Sequence, residues 1–420
     1  MCEKPLSQFS SKNLRHSSLA IYIHWPFCLS KCPYCNFNSH VAEKISHQDW
    51  RQGLIQDLTR QHADVPDKTV HTIFFGGGTP SLMQPETVHE ILSTIRKLWA
   101  TLPNAEVTLE ANPTSVETAN LQSYAQAGVN RLSIGVQSLD DDILKRLGRT
   151  HSARDALYAI ETAQEIFAEN VSFDLIYGCP EQTLSRWEKT LRCALSIGTS
   201  HLSLYQLTIE ENTRYHDLYK IKKLILPCDD NILAMHQKNL ELCSHSGLHQ
   251  YEVSNYARSG YECQHNLTYW KYQDYLGCGP GAHGRLTIDS RKFITESYAD
   301  PNIWLDKATR GISTMEKHHQ LPSHEEGIEY LIMGIRLTEG ISIPRYEAIS
   351  KQRFPIEILD QLQKQDMLTV TPEGQMILSK TGFLFSDHIL SSIYQLIEHH
   401  PQGCEEHSSS IKSPTSLQIS

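Results

Sequence analysis

The stretch Ile21-Tyr22-Ile23-His24-Trp25-Pro26-Phe27-Cys28-Leu29-Ser30-Lys31-Cys32-Pro33-Tyr34-Cys35-Asn36-Phe37 decides how the chain is read. An apolar, β-type run ends at Pro26, and the loop behind it presents Cys28, Cys32 and Cys35 in a C-x3-C-x2-C spacing. Three thiolates this close repel one another unless a cation lies between them, and thiolates favour zinc or iron–sulfur clusters. A structural zinc asks for four protein ligands, and no fourth Cys follows nearby. His24, His40 or a distant Cys could complete such a site, and three unrelated buried thiols are a further reading. A 4Fe–4S cluster also has four corners, and three cysteines would leave one iron open for another ligand.

Outward from this loop, short apolar runs recur, each followed by a helical pattern. The strand candidates are residues 21–25, 72–75, 106–110, 131–135, 171–176 and 201–207. Between them lie amphipathic stretches such as residues 49–62, with Trp50, Leu54, Ile55 and Leu58 on one face. Strand–helix alternation at this spacing predicts parallel strands joined by crossover helices. Six units can form an open doubly wound sheet or a partial barrel. Polar residues at the strand ends favour the barrel, because (β/α) barrels gather their chemistry at the C-terminal strand ends. Those ends carry the Cys loop, Gly76-Gly77-Gly78-Thr79-Pro80, Glu110, Gln137 and Asp174.

The division expected is an arm over residues 1–20, a core barrel over 21–215 and a turn-rich, aromatic extension over 216–300. A mainly helical, winged-helix-like unit over 301–400 and a disordered tail over 401–420 complete it. A hairpin is expected around Pro372-Glu373-Gly374, and the helix over 229–246 takes Asp229 or Asp230 as its cap. A net charge of −10 and a pI of about 6.1 argue against nucleic acid as the main partner. Eleven cysteines, an odd number, and no apolar signal core in residues 1–20 point to a reducing, cytoplasmic setting. No apolar run reaches the ~18 residues of a membrane span.

The residues alone allow plain structural readings beside the functional ones. The glycine loop follows a strand and precedes a helix, so it presents free backbone groups to a ligand or forms a tight turn; no Lys follows to make a Walker loop. Glu110 could pair with a basic neighbour, Arg149 could be a solvated helix-end residue, and Tyr22 and Tyr34 could be packing. Cys179, Cys263 and Cys278 have no companion spacing and read as small buried hydrophobes.

C-x3-C-x-aromatic-C resembles the signature of the radical S-adenosylmethionine (SAM) family. HWPFC…CPYC resembles the branch that holds oxygen-independent coproporphyrinogen III oxidases and haem chaperones, a similarity running from about Ile21 to about Leu390. The resemblance implies a partial (β/α)6, TIM-like barrel and a 4Fe–4S cluster on Cys28, Cys32 and Cys35. The amino and carboxylate groups of SAM would chelate the open iron. Carried over by position, Gly77, Gly78 and Thr79 would hold the SAM amino group, with Tyr22, Tyr34, Glu110, Gln137, Arg149 and Asp174 as further SAM contacts. The implied chemistry is one-electron cleavage of SAM to a 5′-deoxyadenosyl radical.

His265-Asn266-Leu267-Thr268-Tyr269-Trp270 resembles the haem-binding signature of the chaperones and makes His265, read as lying in a turn, the candidate haem ligand; His283 is a second. The oxidases carry a fourth Cys where this chain has Phe37, and a longer N-terminal segment. Both differences, with the H-N-x-x-Y-W string, imply a chaperone without oxidase activity. The partners implied are haem, an acceptor protein that is membrane-associated or soluble, and an electron donor.

Overall fold

The computed structural model describes residues 18–42 and 44–399. Most of the expected N-terminal arm and all of the expected disordered tail lie outside the described residues.

Six strands run parallel in sequence order: β1 (Ser18–Trp25), β4 (Thr69–Gly77), β5 (Ala100–Ala111), β6 (Arg131–Gln137), β7 (Val171–Tyr177) and β8 (His201–Gln206). Two short segments, β2 (Phe27–Cys28) and β3 (His40–Val41), pair with each other at the two ends of the cysteine loop. Helices such as His47–His62, Pro85–Leu98, Ala153–Phe167 and Leu184–Ser196 make the crossovers. The sheet is open, because β8 goes on to an antiparallel β10 (Asn255–Ala257) and β9 (His249–Gln250) instead of returning to β1. This is the partial barrel, and its cause is a strict period of two. Ile21, Ile23 and Trp25, then Ile73 and Phe75, Val107 and Leu109, Leu132 and Ile134, and Phe173 and Leu175 all enter one core beneath the helices. The alternate residues (Tyr22 and His24, Thr72, Thr108, Glu110, Ser133, Asp174, Ser203) therefore share the inner face.

On its other side β1 pairs in parallel with β11 (Tyr275–Cys278), and the sheet continues antiparallel through β12 (His283–Ile288), β13 (Arg291–Ser297) and β14 (Met315–Gln320). The main sheet thus extends past residue 300. Helix Pro301–Thr309 also packs on the barrel, with Trp304 stacked on Trp50 at 5.5 Å. Where β11 to β13 meet, Asp274 receives Lys292 at 2.7 Å and Lys68 at 2.8 Å and accepts from the Thr287 backbone and hydroxyl.

A second core gathers helices Ser323–Gly334, Ile343–Ser350, Ile356–Lys364 and Ser386–His399 with a small sheet, β15 (Ile341–Ser342), β17 (Gln375–Leu378) and β16 (Leu368–Val370). The β16–β17 hairpin turns where the Pro-Glu-Gly triplet forecasts it. The result is a helical unit with a small wing. Arg285 of β12 clamps it to the barrel through a two-pronged pair with Glu329, at 2.8 and 2.7 Å.

Three local expectations change. Helix Asp229–His245 is preceded by Cys228 as its cap residue instead of Asp229 or Asp230. The stretch His265–Trp270, read as a turn, lies in helix Gln264–Trp270. Glu106, on the inner face of β5, accepts from the backbone N–H groups of Gln264 and His265, so a carboxylate fixes the positive end of that helix. The glycine-rich run at 277–284 comprises the end of β11, a turn and the start of β12.

Candidate functional site

Register brings the two sequence loops together. Trp25 lies opposite Gly77, so the chain leaves β1 and β4 at the same height. The Gly78 N–H then donates to Trp25 O at 2.7 Å and the Thr79 N–H to Phe27 O at 2.8 Å. A Cβ on Gly78 would fall 2.7 Å from the Phe27 carbonyl oxygen, and Gly77 has φ +113°. The glycines are therefore required for this close approach, which seats the cysteine loop on the barrel mouth.

Side chains from other strand ends reach the sulfurs. The Thr79 hydroxyl donates to Cys28 Sγ at 3.4 Å, and Asn112 Nδ2 donates to Thr79 Oγ1 at 3.1 Å. Arg149 donates to Asn112 Oδ1, to Gly135 O at 2.9 Å and to Cys32 Sγ at 3.4 Å. One continuous set of hydrogen bonds thus runs from Cys28 to Cys32 through residues of four segments. Asn112 was not singled out in the sequence; it stands two residues past Glu110, at the same strand end, and that position was its only signal. Gly148, at φ +69°, lets the Arg149 segment close on Pro33 of the loop. Tyr34 is largely enclosed, and burial pushes its hydroxyl well above the ordinary range.

Below the loop, Glu110 and Asp174 face the lumen. The Gly77 N–H donates to Glu110 Oε2 at 3.3 Å and the Ser133 hydroxyl to Asp174 Oδ1 at 3.5 Å. Burial, and then the charge of Asp174, pushes Glu110 up to about 8; burial pushes Asp174 up to about 6. Gln137, at the end of β6, is held at φ +66°, a conformation that costs a non-glycine residue energy and is concentrated at functional sites.

The donor set fits an iron–sulfur cube better than a single ion. Burial raises the Cys28 and Cys35 thiols, so a cation is needed to hold them as thiolates. Among the described residues no group of three or more His, Cys, Asp or Glu side chains comes together closely enough for one metal ion. A cube takes each thiolate on a different iron, so its sulfurs ring a volume without converging on a point. His24 is engaged elsewhere: Nδ1 receives the Tyr22 hydroxyl at 3.0 Å and Nε2 donates to Asn38 O at 2.9 Å, just past the loop. Burial holds His24 down at about 4, so it is a neutral strut between β1 and the loop. The two lumen carboxylates suit a ligand bearing positive charge, as the amino and sulfonium groups of SAM do.

His265 lies at the other end of the barrel. Nδ1 pairs with Thr72 Oγ1 at 2.6 Å and Nε2 with Tyr269 OH at 2.8 Å, and the ring stacks on Phe74 at 5.0 Å. It is 1% exposed, and burial lowers it to about 3. Neither nitrogen is available to iron in this geometry. Thr72 precedes Gly77 by five residues on β4, which places His265 roughly 16 Å below the cysteine loop along the strand. Tyr22 lies between the two ends, 6.4 Å from His265 centroid to centroid. His283 sits at the start of β12, on the sheet extension.

The open barrel with a three-cysteine loop at its C-terminal mouth defines a radical SAM protein, and residues 22–194 match the model of the Radical SAM superfamily. The chain is 37% identical over 380 residues to the heme chaperone HemW of Escherichia coli (87% of this chain, 98% of that protein). It is 36% identical over 400 residues to the mitochondrial radical S-adenosyl methionine domain-containing protein 1 of Danio rerio (91% and 89%). The chain therefore belongs to the radical SAM family, in the group that holds HemW and these mitochondrial relatives, and the family implies a 4Fe–4S cluster and SAM. Among solved structures, coproporphyrinogen III oxidase (HemN) of E. coli superposes with a TM-score of 0.76 over 90% of both chains at 20% identity, a likeness of fold. No helix among the described residues is long and apolar enough to cross a membrane.

Proposed function

We propose that this protein is a haem chaperone of the HemW type, which carries a 4Fe–4S cluster on Cys28, Cys32 and Cys35, binds SAM beside it and passes haem to an acceptor protein. The observation that carries the reading is the hydrogen-bonded path from Cys28 through Thr79, Asn112 and Arg149 to Cys32. It occurs in a chain that matches HemW over 98% of that protein's length. A bound cluster would supply the electron that SAM cleavage requires.

The chain's own residues do the positioning. Gly77 and Gly78 hold the loop down, and Thr79 and Arg149 donate to cluster sulfurs. Arg149 offers its charge to the SAM carboxylate, while Glu110 and Asp174 meet the cationic part of the molecule. Gln137, Tyr22 and Tyr34 complete the SAM surroundings. An electron donor for the cluster is the second partner, and the setting is the cytoplasm, in keeping with nine described cysteines of which none is in a disulfide.

Coproporphyrinogen III oxidation is the competing activity. Phe37, 44% exposed, stands where the oxidases have a fourth Cys, which favours the chaperone. The test is anaerobic reconstitution followed by parallel haem titration, haem-transfer and oxidase assays. The expected result is haem uptake and release with no protoporphyrinogen IX formed; robust conversion of coproporphyrinogen III would overturn the reading.

A further inference from the structure

A buried acid stands behind the hydrogen bonds of the cysteine loop, and none of the roles assigned above uses it. Glu117 is 1% exposed. It lies in the short helix Ser115–Ala119, just past the end of β5. Thr114 caps that helix through its own hydroxyl, and Glu117 is the third helical residue, the T-x-x-E spacing of a capping box. In that motif the acid closes on the N–H of its own cap residue. Here the Thr114 N–H donates to Asn112 O at 2.9 Å instead, and the acid reaches further. Glu117 Oε2 accepts from the Asn112 N–H at 2.8 Å and from the Ser81 hydroxyl, while Oε1 accepts from the Thr114 hydroxyl at 3.1 Å. One carboxylate therefore joins the end of β5 to the turn that follows β4.

These are the two segments that reach the sulfurs. Ser81 sits in the single 3-10 turn Pro80–Leu82, which closes on Thr79 through the Leu82 N–H at 3.0 Å. The Thr79 hydroxyl donates to Cys28 Sγ. The Asn112 side chain joins Thr79 to Arg149, and Arg149 donates to Cys32 Sγ. Glu117 thus grips the backbone of Asn112 and the residue two beyond Thr79, one step behind both donors. Sealing a carboxylate from water is costly unless its acceptor positions are filled. Capping a five-residue helix does not call for that cost, because the Thr114 hydroxyl already accepts from the Glu117 N–H. Hydrogen bonds to the sulfurs help to set the reduction potential of an iron–sulfur cluster, and they favour the reduced, more negative state.

We propose that Glu117 is a positioning residue for the cluster and SAM: by holding Ser81 and the Asn112 backbone together, it sets how closely Thr79 and Arg149 approach the cysteine sulfurs. The role rests on the cluster-and-SAM reading above. It is tested on the full chain, reconstituted anaerobically, by redox titration followed by electron paramagnetic resonance and by equilibrium binding of SAM. Glu117→Gln keeps the volume but turns one acceptor oxygen into a donor group. Ser81→Ala breaks the link from its other end with the acid in place, and decides the matter if the glutamine variant does not fold. Each is expected to make the cluster potential more negative, to change the line shape of the reduced cluster and to weaken SAM binding roughly tenfold, at the parent's iron content. In an Asn112→Ala background, where the side chain that Glu117 places is gone, Glu117→Gln should add less than its shift alone. If Glu117 served folding alone, both variants would lower the melting temperature and leave potential and SAM affinity at the parent's values. That result, or shifts that add in full, would overturn the role while leaving the cluster site standing. A parent chain that takes up no cluster would overturn the site and the role together.

Discussion

Arg149 Nη1 lies 3.4 Å from Cys32 Sγ, although 117 residues separate the two in sequence. The same guanidinium holds Asn112 and the Gly135 carbonyl, so it links β5, β6 and the cysteine loop. A charged group spent on three such contacts is placed to orient the loop and its ligand.

Replacing Arg149 by Ala should therefore weaken SAM binding. Hydrogen bonds involving a charged group contribute about 1.5–3 kcal/mol, which corresponds to roughly 10- to 100-fold. Arg149→Lys restores the charge without the fork and should recover only part of the loss. Equilibrium binding of SAM to the reconstituted protein measures both, and unchanged affinity in the alanine variant would refute the role.

Each of Cys28→Ala, Cys32→Ala and Cys35→Ala should abolish stable cluster assembly while the barrel stays folded, because the loop lies outside the core beneath the helices. Iron and sulfide per chain after anaerobic reconstitution, beside the far-ultraviolet circular dichroism, give the answer. Zinc at one per chain in place of iron would instead favour the mononuclear reading.

Glu110 is a lumen-facing, partly buried acid whose folded pKa, about 8, is raised above the ordinary 4.5. The folded state then holds its proton while the unfolded chain releases it, so stability falls as pH climbs from about 4.5 to about 8. In ligand-free protein, Glu110→Gln should raise the melting temperature more at about pH 8 than at about pH 5, since glutamine removes a penalty present only at the higher pH. Binding of cationic SAM should tighten across the same window in the parent and not in the variant. Melting curves and SAM titrations at both pH values provide the check; a pH-independent effect of the substitution contradicts this account.

Asp274 carries a large structural role. Burial by itself would raise its pKa, but Lys292 and Lys68 outweigh it and bring the group down to about 2. This stabilisation is present above the ordinary 3.8 and is lost as pH falls through about 2. Asp274→Ala takes the carboxylate away from the nearly buried Lys292 ammonium group and from Lys68, and should cost about 3–5 kcal/mol. Denaturant unfolding at neutral pH measures it, with Asp274→Asn losing less because its amide oxygen can still accept from the Thr287 backbone N–H.

Much of this protein was legible along the chain because the causes are local. The alternation of Ile21, Ile23 and Trp25 with Tyr22 and His24 specifies a strand with an apolar face and a polar one, and five later strands repeat it. Three cysteines within eight residues mark the loop as a candidate metal site whatever surrounds them. The hairpin at Pro372–Gly374 follows from turn chemistry that needs no partner. The helix at Gln264–Trp270 was less legible, because its start depends on Glu106, a residue 158 positions earlier.

What the sequence by itself determined is therefore the strand–helix order, a parallel α/β core and the cysteine loop as a candidate metal site, all of which follow from spacing and side-chain type. Only the tertiary structure decided that Arg149 reaches Cys32 and Asn112 links it to Thr79, that Glu110 and Asp174 share the barrel lumen, and that His265 is sealed beneath Tyr269. The physical reason is register: parallel strands joined by crossover helices bring together residues a hundred positions apart, and no local pattern records which ends finish level.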